Sequence, residues 1–172
     1  MGAKRTAWIL IAVLGALCAA CGGGGGAAAS TNGAMRLDGA LAEARTWTVD
    51  QLATLPLQTQ DGSFQAQGAQ KSLQVKGVLL LDFLQRAKPK FDPKKKRDSL
   101  RYAVLVHAVD NYAAVVSWGE IDPDFAAKPV LITVEENGKK LDRPGMFVPG
   151  DKHGGRHVDA IDRISLEAVR PS

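Results

Sequence analysis

Residues 149–158 read PGDKHGGRHV, and they combine backbone freedom with side chains that can bind a ligand. Gly154 and Gly155 allow the backbone to approach a ligand closely and to expose N–H groups. Arg156 offers a planar fork that suits a phosphate or a fused heterocycle with acceptor atoms. His157 adds a ring that can stack or donate. These residues alone fit two interpretations equally: an anion- or heterocycle-binding loop, or a tight surface turn with a solvated arginine.

Around this loop the sequence predicts short strands and short helices. Capping boxes begin helices after Thr48 and Ser117, and residues 78–87 have the apolar spacing of a helix that ends at Pro89. Strands are predicted over residues 73–76, 101–108, 112–118, 130–134 and 146–148. Hairpin turns are predicted at Asp61-Gly62, Asp110-Asn111 and Asn137-Gly138.

The tail, residues 157–169, predicts a short helix that leads into a strand. No internal repeat or second linker divides residues 35–172. Because hairpins are mixed with short helices, the pattern favours a single α+β domain over an array of βαβ units.

Other patterns give little support to alternative chemistry. The basic run over residues 88–97 is interrupted by Asp92 and has no interleaved aromatic residue except Phe91, which indicates a solvated loop and no nucleic-acid partner. No serine lies in a G-x-S-x-G turn, so no catalytic residue is predicted.

The histidines raise the question of a metal. The candidate ligands are His107, His153 and His157, with Asp110 and Asp151 nearby. The glycine pair between His153 and His157 argues against the helix that would align these two. A structural metal site normally needs four well-placed ligands. The sequence therefore predicts no metal site.

The N-terminus has the features of an export signal. Lys4 and Arg5 precede an apolar run over residues 8–17, which is shorter than the roughly 20 residues of a membrane-spanning helix. Small residues then precede Cys21, as in the lipobox of bacterial lipoproteins, although Cys18 stands where that motif usually has leucine. We therefore expect residues 1–21 to be a lipoprotein-type signal peptide with lipidation at Cys21. The alternative is an ordinary cleaved signal peptide.

The expected domain organisation follows from this signal. Residues 22–36 form a flexible Gly/Ala tether, and residues 37–172 form the folded domain. The expected partner is a membrane, reached through the lipid anchor on the periplasmic side of the cell envelope. Gly22 is not the acidic residue that retains some lipoproteins at the inner membrane, which favours the outer membrane. Without the lipid, the protein would be secreted or periplasmic.

Removal of the export signal changes two properties of the chain. The whole chain has 22 basic and 18 acidic residues, a net charge of +4. Loss of the signal removes Lys4 and Arg5 and no acidic residue, so the net charge falls to +2. Both cysteines, Cys18 and Cys21, lie in the processing region. The domain itself is therefore nearly neutral and has no thiol.

Five motifs in order resemble the molybdopterin-binding domain of the sulfite oxidase superfamily, especially its small exported stand-alone members. The resemblance runs from about residue 47 to residue 166. Its motifs are TVDQLATLP at 48–56, VKGVLLLDFL at 75–84, VDNY at 109–112, SWGEIDP at 117–123, and VPGD with GRHV within 148–158. The resemblance implies a mixed α+β fold with a groove for a pterin or molybdopterin-type ligand. The resemblance implies that Arg156 and His157 contact the ligand and that Asp110 and Tyr112 lie in a loop that approaches the same groove. Together with His153 and Gly155 of the glycine-containing loop, these are the expected ligand-binding residues.

Departures from the family pattern argue against molybdenum catalysis. Catalytic relatives hold molybdenum through a cysteine thiolate, and no cysteine lies between Gly22 and Ser172. Asp159-Ala160 replaces a frequent lysine, and Met146-Phe147 lacks the usual arginine. A soft metal would lose its thiolate ligand, and an anionic cofactor would lose positive charge.

These observations leave three hypotheses. The first is a non-catalytic ligand-binding or sensory module that presents a pterin to an envelope or membrane sensor or redox protein. The second is a molybdopterin-dependent oxidoreductase with a substituted metal ligand. The third is a structural or interaction lipoprotein that keeps the fold without a ligand.

Overall fold

A computed structural model describes residues 33–169 of the chain. The predicted signal peptide, Cys21 and residues 22–32 of the predicted tether lie outside this range. Strand β1 begins at Met35, and both Ala34 and Met35 are buried. The packed structure thus starts inside the segment predicted as tether. Within residues 33–169, none of the helices has the length and apolar character needed to cross a membrane.

The described part of the chain contains nine strands and three short α-helices. In chain order they are β1 Met35–Gly39, β2 Arg45–Trp47, α1 Val49–Ala53, β3 Gln58–Ala66, β4 Ala69–Leu79, α2 Leu80–Arg86, β5 Tyr102–Ala108, β6 Ala113–Ser117, α3 Trp118–Ile121, β7 Leu131–Glu136, β8 Lys139–Phe147 and β9 Ile161–Ala168. Two 3₁₀ turns, Asp98–Arg101 and Gly154–Arg156, complete the set. This content agrees with the predicted α+β class.

The strands form two sheets. One has five strands in the order β2-β1-β9-β5-β6, in which β1 and β9 are parallel and the other pairs are antiparallel. The other has four antiparallel strands in the order β3-β4-β7-β8. The main apolar core draws on both sheets and on α1 and α2, with fully buried members such as Leu37, Ile164, Val78, Ile132, Leu52 and Phe83.

The predicted helix starts are confirmed at both capping boxes. Thr48 and Gln51 exchange side chain–backbone hydrogen bonds of 3.0 and 3.2 Å, and Glu120 accepts from the Ser117 N–H at 3.0 Å. Helix α2 begins at Leu80, two residues later than predicted. The reason is that Val78 still belongs to β4 and pairs with Ile132 of β7.

Two of the three predicted turns are confirmed. β5 pairs with β6 across Asp110-Asn111, and β7 pairs with β8 across Asn137-Gly138, where both residues have positive φ. The prediction at Asp61-Gly62 is wrong, because β3 runs straight through it and turns at Gln67-Gly68. Gly62 instead makes room for a ring, since a Cβ there would lie 2.1 Å from Cζ of Phe147.

The prediction of a helix at the start of the tail is also wrong. Residues 154–156 form a single 3₁₀ turn, and the chain is extended by Val158. Val158 accepts from and donates to the backbone of Met146, at 2.7 and 3.0 Å. These bonds commit the segment to an extended conformation before β9, and the strand part of the prediction is confirmed.

Candidate functional site

The loop of residues 148–160, between β8 and β9, forms one wall of an open groove of about 750 Å³. Its volume lies within the range of small-molecule sites. The hairpin of β3 and β4 and the end of β7 form the other walls. Lining residues include Phe64, Lys71, Ser72, Glu136, His153, Gly154, Gly155, His157 and Asp159.

An aromatic pair forms the inner wall of this groove. The rings of Phe64 and His157 lie 5.0 Å apart between centroids, and Phe147 packs edge-on to His157 at 6.2 Å. Gly154 permits this arrangement, because a Cβ there would lie 2.7 Å from Cε2 of Phe64. Phe64 is itself buried, so its ring packs directly against the loop backbone. Gly154 is therefore needed for the close packing of Phe64, whereas a side chain at Gly155 would find open space.

Arg156 fastens the loop through two carboxylates that are not among the lining residues of the groove. Its Nε and Nη2 donate to the two carboxylate oxygens of Asp151 at 2.7 Å each, and its Nη1 donates to Oε1 of Glu120 at 2.8 Å. Lys128 Nζ lies 3.6 Å from Asp151 and 3.8 Å from Glu120. Two cations thus face two carboxylates, and the cluster ties the loop to α3.

The charges of this cluster shift the titration of its members. Burial raises the pKa of Glu120, but hydrogen bonds from Arg156 and from the Ser117 N–H, with the charges of Arg156 and Lys128, bring it below its ordinary value of 4.5. The hydrogen bonds from Arg156 outweigh burial at Asp151 and hold its pKa below 3.8. Hydrogen bonds to Asp151 and Glu120 raise the pKa of Arg156 further. All three groups are therefore charged at neutral pH.

Tyr112 and Asp110 support the loop from the β5–β6 turn. A carboxylate oxygen of Asp110 accepts from the Tyr112 N–H at 3.0 Å, which fixes the turn. The Tyr112 hydroxyl then donates to the carbonyl oxygen of Gly155. This link spans 43 residues of sequence and sets the position of the glycine pair.

The six residues expected at a ligand site therefore divide into two groups. His153, Gly155 and His157 line the groove. Arg156, Tyr112 and Asp110 are not among the lining residues. Arg156 and Tyr112 hydrogen-bond to the loop, and Asp110 fixes the turn that carries Tyr112. The role expected for Arg156 was an anion fork, whereas its Nε, Nη1 and Nη2 all donate to carboxylates of the protein.

Several groove residues were missed from the sequence: Phe64, Lys71, Glu136 and Asp159. Glu136 and Asp159 matter most, because their carboxylates lie beside His157. The i, i+2 spacing of His157 and Asp159 could have paired these two in an extended segment. No sequence signal links either to Glu136. The other candidate metal ligands that the sequence offers, His107, His153, Asp110 and Asp151, are not in this group.

Comparisons with known proteins show the fold. No family model and no curated protein matches the chain. Among solved structures, the chain is similar to the crystal structure of the sulfane dehydrogenase SoxCD from Paracoccus pantotrophus, with a TM-score of 0.60 and 16% identity. The match covers 78% of this chain but only 38% of the other, so the likeness concerns part of a larger protein. The chain has a distantly sulfite oxidase-like fold.

Proposed function

We propose that this domain is a non-catalytic binding module that holds a planar, polar heterocycle of the pterin type. The observation that carries this proposal is the open groove beside residues 153–157, with an aromatic wall and an accessible glycine backbone. Apolar walls with a few convergent polar groups are typical of small-molecule sites. The likeness of fold to an oxidoreductase adds support, since the sequence motifs resemble a pterin-binding family.

The charges of the groove narrow the class of ligand. Lys71 is the only lysine or arginine among the described lining residues, which also include the acidic residues Glu136 and Asp159. Arg156 is engaged by two carboxylates and is not a lining residue. A multiply charged phosphate would therefore meet little net positive charge. A neutral ring with N–H donors fits better, because carboxylates accept from paired donors such as those of an aminopyrimidinone edge.

The donor set of the groove does not fit molybdenum in the form that the catalytic relatives hold it. Those relatives use a cysteine thiolate, and the two cysteines of this chain, Cys18 and Cys21, both precede the domain. The groove offers imidazole, carboxylate, amide, hydroxyl and ammonium groups. These donors suit harder ions or an organic ligand. We therefore assign to this domain a role in ligand binding without redox chemistry.

Export and anchoring are part of the proposal. The N-terminal pattern supports a lipid anchor at Cys21, which would hold the domain on the periplasmic side of the envelope with the outer membrane favoured. A tethered module of this kind would present its ligand to a sensor or redox protein of the envelope.

Native mass spectrometry of protein isolated from its own envelope tests the proposal. We expect a bound heterocycle of pterin mass and a lipid adduct on Cys21. Fluorescence titration of the emptied protein with a pterin should show saturable binding. Ser72 is an exposed residue of the groove wall, so Ser72→Trp should fill the groove and weaken binding at least about tenfold, or about 1.4 kcal/mol.

The matched control is Thr59→Trp, at an exposed position of β3 that does not line the groove. This variant should bind as the parent does. Absence of any heterocycle from the native protein together with no pterin binding would overturn the proposal. Equal weakening in both variants would show that the ligand binds elsewhere.

A further inference from the structure

Two carboxylates of the groove, Glu136 and Asp159, also form with His157 an arrangement that suits a metal ion. Glu136, His157 and Asp159 each offer one ligand atom, and these atoms all lie within 4.8 Å of one another. We propose that they form a binding site for a divalent transition-metal ion of the zinc type. This inference goes beyond the proposed function and does not rest on it, because the metal alone would bind.

The fold brings the three side chains together in a fixed way. His157 and Asp159 flank Val158, which is buried and bonded to Met146, so both point to the same side of an extended segment. Glu136 is the last residue of β7. The side-chain oxygen of Asn137 accepts from the Gln74 backbone N–H at 2.9 Å, and the backbone N–H of Asn137 donates to the Gln74 carbonyl oxygen at 2.7 Å. These two bonds fix the end of that strand.

Two of the three spacings between ligand atoms suit a small ion with tetrahedral geometry, and the third, between the two carboxylate oxygens, lies within 4.8 Å. His157 Nε2 lies 3.4 Å from Oε2 of Glu136 and 3.5 Å from Oδ1 of Asp159. Tetrahedral zinc with bonds of about 2.0–2.1 Å separates its ligand atoms by about 3.3–3.4 Å. The groove leaves room for water as a fourth ligand. Zinc sites with three protein ligands and an open position are of this kind.

The surroundings of His157 also indicate a missing partner. Its side chain is only 14% exposed, held between Phe64 and Phe147. Nδ1 is buried and has no hydrogen-bond partner among residues 33–169. Nε2 faces two carboxylate oxygens that are too distant for good hydrogen bonds. A cation between these three atoms would give Nε2 a partner and neutralise both carboxylates, and it would not supply a partner for Nδ1.

The chemical types of the three ligand atoms indicate which ion the site should bind. One imidazole nitrogen with two carboxylate oxygens suits zinc and its first-row neighbours. Calcium and magnesium prefer oxygen ligands alone. The site should therefore bind Zn²⁺ or Co²⁺ and discriminate against Ca²⁺ and Mg²⁺.

The test is titration of the full chain, purified without a polyhistidine tag and stripped with chelator, with Zn²⁺ alone. We expect one Zn²⁺ per chain, a raised melting temperature in the presence of Zn²⁺, and no response to Ca²⁺ or Mg²⁺. Co²⁺ should give the visible absorption of a tetrahedral site without a thiolate charge-transfer band. Such a band would assign the metal to Cys18 or Cys21 and overturn the proposal.

Variants locate the site. His157→Gln, Glu136→Gln and Asp159→Asn should each weaken Zn²⁺ binding at least about tenfold, the scale at which even outer partners of a metal site matter. Asp159 is 78% exposed, so Asp159→Asn should not disturb the fold. The matched controls are Glu135→Gln and His107→Gln, which alter the same residue types outside the cluster. The proposal fails if the parent binds no zinc, or if these controls weaken binding as much as the three ligand variants.

Discussion

Arg156 and Asp151 form two parallel hydrogen bonds, from Nε and from Nη2, each 2.7 Å long. The pair lies within the loop that lines the groove, five residues apart, and closes the loop on itself. Glu120 extends the pair to α3 through Nη1 of Arg156. The position of the groove residues therefore depends on a cluster of charged side chains that do not themselves line the groove.

Replacement of Arg156 should destabilise the fold. Arg156→Ala leaves two partly buried carboxylates with Lys128 as their remaining cation. We expect a loss of about 1–3 kcal/mol in the free energy of unfolding, measured by urea denaturation. The control is Lys88→Ala, which removes the well-exposed ion pair with Glu43 and should leave stability nearly unchanged. Equal effects of the two substitutions would contradict the structural role of Arg156.

Acid should weaken the same cluster. Because the folded-state pKa values of Glu120 and Asp151 are lowered, their contribution is complete above the ordinary values of 4.5 and 3.8 and is lost as the pH falls through the lower folded values. The free energy of unfolding should therefore decline between about pH 5 and about pH 3. In Arg156→Ala this decline should be shallower. A parallel decline in both proteins would show that other carboxylates control acid stability.

Tyr112 should affect the loop more than its exposure indicates. Tyr112→Phe removes the hydrogen bond from the hydroxyl to the Gly155 carbonyl while it keeps the ring. We expect faster hydrogen exchange of the amides of residues 153–157 and a loss of about 0.5–1 kcal/mol. Tyr102→Phe is the matched control, because the Tyr102 hydroxyl donates to the carbonyl oxygen of Lys90, in a different loop, at 3.3 Å. If exchange in residues 153–157 were unchanged, the hydrogen bond would have no positioning role.

The sequence predicted those parts of the fold that local rules control. Asn137-Gly138 turns a hairpin because both residues adopt positive φ, and the capping box at Thr48 begins a helix through bonds three residues apart. Asp61-Gly62 carries a similar local signal but lies within a strand. There the glycine is required by the ring of Phe147, and no local rule contains that contact.

The candidate site was predictable only along the loop itself. The pattern of residues 153–157 indicated a ligand site, and three of the predicted residues line the groove. The hydrogen bond from Arg156 to Glu120 could not be predicted, because the two residues lie 36 positions apart in the sequence. The meeting of His157 with Glu136 depends on how the loop before β9 pairs with β8, the neighbour of β7 in its sheet. Neither contact produces a periodic pattern in the sequence.

The two adjacent glycines of the loop should respond differently to a single methyl group. Gly154→Ala places a Cβ 2.7 Å from Cε2 and 2.8 Å from Cδ2 of the buried Phe64 ring, which must shift, at a cost of about 1–3 kcal/mol. Gly155→Ala is the control, since its Cβ meets only the Tyr112 hydroxyl at 3.9 Å, and it should be neutral or stabilise the fold by about 0.4–1 kcal/mol. Urea denaturation of both variants measures the difference. Equal stabilities would mean that Phe64 does not pack over Gly154, and the aromatic wall of the groove would lose its support.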